Sequence, residues 1–413
     1  MTRLSFVGFR RRRFTGFVAA GLILALPIAL SAQTYPEPPD PAENARVRMG
    51  PFSVRPTLII RDVGIDSNVF NASGIPQEDF SFTGGARVDV GLRLNRILAT
   101  YSSSYEYMYF QKFKSERGSN RGSNGRVDFL LGRLRPFLAG SLVDSHERLN
   151  AEIDARAHRR ESGYGAGAGL LLFTHTTLNG SYRRSISTYA DDEYFSGVLL
   201  ADALNRESET LEGSLEFELT ALTSLALNVG RTEDHFRRSP DRDADTRRYG
   251  VTLTFEPAAL ISGRAQIAYR QFNPQSAEIP DMSGMAVALA LTSSFRDHTR
   301  VVVNLDHDIR YSFADLTPYY LSTAARATIT QRIVGPFDVQ AVAGAERLAY
   351  EPRADAPNAE HGDRLRTLGG GVGYQLAENS RLGFNVEHTE RSSPIEQRRY
   401  SRRRIYGSLT YGF

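Results

Sequence analysis

The chain has 413 residues, with 50 basic and 47 acidic side chains and a formal net charge of +3. That near balance demands no large acidic partner, and low hydropathy with a single uninterrupted apolar run excludes a helical membrane protein. Cysteine is absent, so neither a disulfide framework nor a cysteine-based metal site can form.

The N-terminus reads as an address. Arg3 and the run Arg10 to Arg13 give a basic segment, Phe17 to Leu30 an apolar one, and Ser31-Ala32 small residues for cleavage before Gln33. This predicts a secretory signal peptide over 1–32, of the kind exported through the Sec pathway. Removing its five arginines takes the chain from +3 to −2, and nucleic-acid binding loses its main support. Residues 33–50 are rich in Pro, Glu and Ala without periodicity, which predicts an extended periplasmic lead-in.

From residue 51 to 413 the chain alternates with period two. In Phe80 to Asn95, Phe80, Phe82, Gly84, Ala86, Val88, Val90, Leu92 and Leu94 share one face, while Arg87, Asp89 and Arg93 lie on the other. Successive strand side chains point to opposite faces, so this is a strand with one apolar and one polar side. Such segments number about 18 (16–20), each near the length a tilted strand needs to cross a bilayer. They are expected to begin near Val54, Phe80, Ile97, Gly125, Arg135, Ser162, Thr177, Glu209 and Ser224 in the first half. In the second half they begin near Arg247, Leu260, Ser283, Thr299, Pro318, Phe337, Arg366, Arg381 and Arg402. Short turns such as Asn95-Arg96, Phe173 to Thr176 and Val334 to Pro336 alternate with longer polar loops. The expected fold is therefore an all-β, antiparallel up-and-down transmembrane barrel with short periplasmic turns and longer extracellular loops.

Aromatic residues fit two interfacial belts. Phe80, Tyr105, Tyr107, Tyr109, Tyr269, Tyr311, Phe313 and Tyr319 are expected near the outer rim. Phe137, Phe217, Phe255, Phe337, Tyr374, Phe384, Tyr411 and Phe413 are expected near the periplasmic rim. Leu409, Tyr411 and the terminal Phe413 look like the terminal strand that the outer-membrane assembly machinery recognises. Lipid and lipopolysaccharide are the other expected partners, with homo-oligomerisation left open.

The polar faces suggest the function. Arg87, Asp89, Arg93, Glu106, Glu212, Glu216 and Glu218 are predicted to line the lumen, as are Arg264, Arg270, Asp306, Asp308, Arg310, Arg326 and Arg404. They read either as charged rings that set ion preference or as cross-strand pairs filling a narrower lumen. The loop from Ala190 to Glu207 is unusually apolar, with Phe195, Leu199, Leu200 and Leu204. It is expected either to fold into the mouth, with Ser196 capping a short helix and Asp191, Asp192 and Glu193 presenting negative charge there, or to pack on a neighbouring loop or another subunit.

Enzyme and metal readings are thin. Asp234-His235 resembles the Asp/His pairs of outer-membrane proteases, although one adjacent pair arises easily by chance. Asp241, Asp243 and Asp245 resemble the start of a calcium loop, but Thr246 stands at the required glycine and Thr252 at the final glutamate. No catalytic, cofactor or metal site is therefore predicted.

The stretch Gly64-Ile65-Asp66-Ser67-Asn68-Val69-Phe70 resembles a motif of the putative β-barrel porin families, in which the first strand ends Gly-aromatic-Asp-Asp/Ser-Asn-Val-Phe. Ile65 departs from the aromatic position. The resemblance implies an outer-membrane barrel and brings no substrate or catalytic residue. Some members are encoded with exopolysaccharide export systems. Physically, Asp66 and Asn68 suit an Asx-type turn leaving the rim. The expected function is a passive porin-like channel for small polar solutes. The rivals are an accessory barrel for polymer export and a closed structural or adhesive barrel, with an outer-membrane hydrolase last.

Overall fold

The computed structural model of the protein describes residue 45 and residues 47–257, 259–295, 298–377 and 380–412. The predicted signal peptide, most of the lead-in, Ala258 and Phe413 lie outside the described residues, as do parts of the turns predicted at Phe295 to His298 and Ala377 to Ser380.

Eighteen long strands form one closed antiparallel barrel. They are β1 (Phe52–Asp66), β2 (Asp79–Leu94), β3 (Ile97–Phe110), β4 (Gly118–Phe129), β5 (Leu134–Ser145) and β6 (Arg159–Phe173). Then come β7 (Thr176–Tyr189), β8 (Arg206–Thr220), β9 (Thr223–Phe236), β10 (Ala244–Phe255), β11 (Ile261–Pro274) and β12 (Met282–Phe295). The last six are β13 (Thr299–Tyr311), β14 (Tyr319–Val334), β15 (Phe337–Glu351), β16 (His361–Ala377), β17 (Ser380–Ser392) and β18 (Tyr400–Gly412). Each strand pairs with its sequence neighbours, and β1 pairs with β18 from Thr57↔Gly412 to Asp66↔Arg404 to close the ring. Closure is what the bilayer requires, because an open edge would leave backbone N–H and C=O groups unpaired in hydrocarbon.

Every predicted strand has its counterpart, but β4 begins seven residues before the predicted Gly125 and β16 five before Arg366. In Gly118–Asn124 both faces are polar, so alternation is invisible there although the ladder to β3 is continuous. The lead-in is also less featureless than expected. Val47–Met49 turns back through Gly50 (φ +59°) and pairs with Phe52 to Val54.

The closing seam is irregular. A register shift between Ile60 and Val63 places Asp62 at φ +57°, a left-handed conformation that aspartate tolerates better than most residues. Just beyond it a Cβ on Gly64 would stand 1.9 Å from the carbonyl oxygen of Ile405. Gly64→Val is therefore expected to lower the yield of folded barrel sharply, read as loss of the heat-modifiable band in electrophoresis. An unchanged yield would show that the seam can spread.

The two belts are partly as expected. Tyr105, Tyr107 and Tyr269 are exposed on the outer surface, as are Phe337, Phe384 and Tyr411 toward the short-turn end. Tyr311, Phe313 and Tyr319 instead turn into the mouth, where they pack in apolar clusters rather than facing lipid. Phe137 also points inward, with the Arg126 guanidinium 3.8 Å from its ring centre.

The connections alternate between short turns and long loops, and the long-loop end carries the apolar packing. Four clusters sit there, built around Leu200, Phe272, Met108 and Leu348. The exposed loop between β3 and β4 holds Lys112 and Lys114, and the short turn Asn95-Arg96 lies at the opposite end. Trypsin added to intact cells should cut after Lys112 or Lys114 and leave Arg96 uncut until the outer membrane is opened. The reverse pattern would invert the orientation.

Candidate functional site

The lumen-facing charges fall into pairs that run along the wall. Arg87 meets Asp89 at 2.9 Å and Arg310 meets Asp306 at 2.5 Å, each within one strand. Arg270 on β11 reaches Asp308 on β13 at 2.5 Å, and Arg326 on β14 reaches Glu387 on β17 at 3.3 Å. Arg404 holds Glu387 at 2.7 Å and the bulged Asp62 at 3.2 Å. Arg61 holds Glu106 at 2.6 Å, and Glu218 meets His175 at 3.1 Å. Glu216 lies beside Arg264, and Arg93, Glu212 and Arg264 all have partners. Most of the charged residues expected to face inward are arranged as a pair ladder rather than as rings of one sign.

One loop crosses the lumen. Residues 146–158, between β5 and β6, fold as a narrow hairpin closed by an antiparallel bridge between Arg148 and Arg156. Asn150 shapes its tip, its side-chain oxygen accepting from the backbone N–H groups of Glu152 (3.0 Å) and Ile153 (2.8 Å). The tip carboxylate, Glu152, is fully buried. It accepts from Ser312 Oγ at 2.7 Å, from Arg398 Nη2 at 2.7 Å and from the Tyr350 hydroxyl. Arg391 donates to the Ala151 carbonyl at 2.5 Å and pairs with Asp363. Tyr350 belongs to β15, nine places from β6 around an 18-strand wall, so base and tip stand on opposite sides.

The hairpin's flanks are fixed as well. Arg61 also reaches Glu147 at 2.7 Å, and Asn120 donates to the same carboxylate. Arg148 and Arg156 both donate to the carbonyl of Val69, and Arg156 meets Glu116 at 2.9 Å. Asn71 Nδ2 reaches Asp154 at 2.5 Å. Burial pushes the Arg148 and Arg156 guanidinium pKa values down from their usual range, against the pull of Asp154 and Glu116. Burial acts the same way on Arg398, but the Glu152 carboxylate beside it more than offsets this and holds that pKa up.

The Gly64 to Phe70 motif anchors this arrangement. Asp66 accepts from the Asn68 N–H at 3.1 Å, an Asx turn, and pairs with Arg402 across the seam. The Asn68 side chain donates to the carbonyls of Ala72 (3.0 Å) and Ser401 (3.2 Å), tying the first loop to β18. Val69 is fully buried and supplies the carbonyl that both hairpin arginines use, while Phe70 packs edge-on against Phe113 at 4.8 Å.

The apolar loop at Ala190 to Glu207 packs against the hairpin. Leu200 and Leu204 are buried with Ile153, Ala157 and Phe313, with Leu199 against the same cluster, and Phe195 meets Phe313 edge-on at 4.9 Å. Ser196 caps no helix. It forms, with Gly197, the positive-φ turn of a small hairpin, and the helix Leu200–Leu204 starts from Leu199 without a side-chain cap. Two of the acidic trio are engaged elsewhere. Asp191 is exposed and pairs with Arg238 at 2.6 Å, Glu193 accepts from the His158 N–H at 2.9 Å, and Asp192 is exposed.

The remaining polar candidates do not converge. Asp234 faces inward and accepts from the Tyr311 hydroxyl at 2.8 Å, while the neighbouring His235 faces out and meets Asp243 at 2.5 Å. Adjacent strand residues point to opposite faces, so the two cannot share a proton. Asp241, Asp243 and Asp245 are taken by Arg353, His235 and Arg231 respectively. Leu409 and Tyr411 lie in β18, with Tyr411 partly exposed.

Nothing in the linear order of 146–158 marks it out. Its charges are mixed in sign, as on a solvated loop, and only Leu149 and Ile153 are strongly apolar. The signal available was complementarity: an acid at the tip, and arginines at 391 and 398 on a distant segment.

A closed 18-strand barrel with a polar inner face and a lipid-facing apolar surface is an outer-membrane β-barrel of porin-like fold. The chain belongs to the family described as putative beta-barrel porin 2, whose pattern it matches over residues 40–413. Among solved structures it is similar to Acinetobacter baumannii OccAB3, with 10% identity, TM-score 0.50, and coverage of 87% of this chain and 99% of that one. Pseudomonas aeruginosa OccK9 (OpdG) gives 10% identity, TM-score 0.47, and coverage of 87% and 98%. The FrpB iron transporter from Neisseria meningitidis gives 12% identity, TM-score 0.43 and coverage of 84% of this chain, which spans 62% of that protein's length. A search of curated proteins finds no match.

Proposed function

We propose that the protein is a passive channel for small polar solutes whose width is set by the 146–158 hairpin. The observation that carries this is the hairpin's span from β6 to β15, with a buried carboxylate pinning its tip. Wall charges are neutralised in pairs one to three strands apart, an arrangement that lines the wall and leaves the axis to water. A hairpin fixed on three sides narrows that path without filling it. It also argues against polymer export, since a long chain would have to displace a buried ion pair. Entry to the outer membrane through the Sec pathway and the barrel assembly machinery fits this reading.

The deciding measurement is single-channel conductance of the purified barrel in planar bilayers. Discrete, ohmic openings are expected. Silent insertion of a folded, heat-modifiable barrel would replace this reading with a closed structural one.

A further inference from the structure

The lumen charges nearest the short-turn end are unevenly matched, and from this we propose that the passage prefers anions, with small carboxylates and phosphates as its solute class. The inference rests on the channel reading above and names the solutes of that same path.

Toward that end of the barrel most of the carboxylates are already spoken for. Asp128 is held by Arg126 at 2.5 Å, Asp338 by Arg381 at 2.6 Å, and Asp89 by Arg55 at 3.3 Å as well as by Arg87. Glu216 lies beside Arg264, while Glu218 meets only His175, which is charged only when protonated, and so stays an acid at this end. Among the described residues, what is left over is mainly basic. Arg135, Arg300 and Arg332 lie on the inward face by alternation with Phe137, Asp306 and Arg326, each within three residues of its strand end. Among the described residues none of the three has a carboxylate at ion-pair distance. Arg332 stands across from Asp338 in the β14–β15 ladder, but that carboxylate is held by Arg381. Among the described turn residues, Arg96 and Arg133 add two exposed guanidinium groups, against Glu256 in the turn after β10.

The opposite end shows the contrast. There Arg353 serves Asp241, Glu278 and Asp315, and Arg242 is spent on the carbonyls of Ser312 and Ala314. The three unpaired arginines all lie in the half of the lumen below the hairpin. A narrow path with low-dielectric walls focuses the field of such groups and concentrates counter-ions. Guanidinium is also the side chain whose planar fork matches carboxylate and phosphate oxygens, which fits anions larger than chloride.

The test is the reversal potential of the full mature barrel in planar bilayers under a KCl gradient. The expected sign is chloride over potassium, strongest at low salt, where the screening length is about 10 Å at 0.1 M, and weaker near 1 M. Bi-ionic potentials should rank acetate and inorganic phosphate above tetramethylammonium. The triple variant Arg135→Gln, Arg300→Gln, Arg332→Gln should lose most of the anion preference, and the matching triple to Lys should keep it. If the triple does not fold, Arg135→Gln alone, at an exposed position, should shift the potential in the same direction. A potassium preference, the reverse ranking of organic ions, or a reversal potential unmoved by the Gln substitutions in a conducting barrel would overturn this inference alone. A folded barrel that does not conduct would overturn the channel reading, and this inference with it.

Discussion

Replacing residues 149–155 by a two-residue Asn-Gly turn should raise single-channel conductance several-fold while leaving the barrel folded. The graft point is set by the antiparallel bridge between Arg148 and Arg156, which already holds the two arms of the hairpin side by side. An Asn-Gly pair closes such arms with little strain. No strand-to-strand ladder includes 149–155, so pairing of β5 with β6 from Leu134↔Leu170 to Ser145↔Arg159 should survive. What goes is the tip: Glu152, and the Ile153 contact with Leu200, Leu204 and Phe313.

A single substitution separates the lock from the loop's bulk. Glu152→Ala keeps the hairpin but leaves Arg398 without the acid that holds it, and removal of one partner of a buried pair costs about 3–5 kcal/mol. Asp363 still faces Arg391 at 2.5 Å and Arg398 at 3.5 Å, so much of that cost can be relieved by letting the tip swing away. The expected result is a folded barrel with noisier and larger openings than the parent, between parent and deletion. Conductance unchanged in both variants would move the constriction elsewhere in the mouth.

The fold was readable because two independent patterns coincide, period-two alternation and alternating connection length. Where one failed the boundary slipped, as at Gly118–Asn124, whose lipid-side positions Ser119, Arg121 and Ser123 are as polar as the inner ones. Inward charges were legible one strand at a time. Their partners were not, because Arg326 and Glu387 are 61 residues apart and three strands apart. Parity also fails once a strand gives way to a loop. Tyr311 and Phe313 keep the spacing of an outer belt, yet the chain turns there and carries both rings into the mouth. The apolar loop at Ala190 to Glu207 announced its own burial through composition. The hairpin it packs against announced nothing, because its contacts are with Val69, Ser312, Tyr350, Arg391 and Arg398, all remote in sequence.

Val88→Arg should cost far more folded barrel than Arg87→Val, although the two residues are neighbours in β2. Val88 is partly exposed on the outer surface, paired with Ser103 on β3 and Pro56 on β1. It lies about midway between the Asn95-Arg96 turn and the outer end of the strand, where hydrocarbon is deepest. An arginine at such a position costs roughly 2–4 kcal/mol, because the guanidinium must keep its water while its Cα is held by the ladder. Arg87 looks the other way. Its guanidinium is nearly half exposed in the lumen and shares Asp89 with Arg55 and with Ser102 Oγ at 2.6 Å. Removing it leaves Asp89 with both other partners, and a valine side chain there meets water rather than lipid. The change should lie within about 1 kcal/mol, the usual worth of an exposed pair. Folding of both variants into vesicles, titrated with urea and read by heat-modifiability, gives the two numbers side by side. Equal losses would mean that β2 is turned over, and with it every inward assignment that depends on its register with β1 and β3.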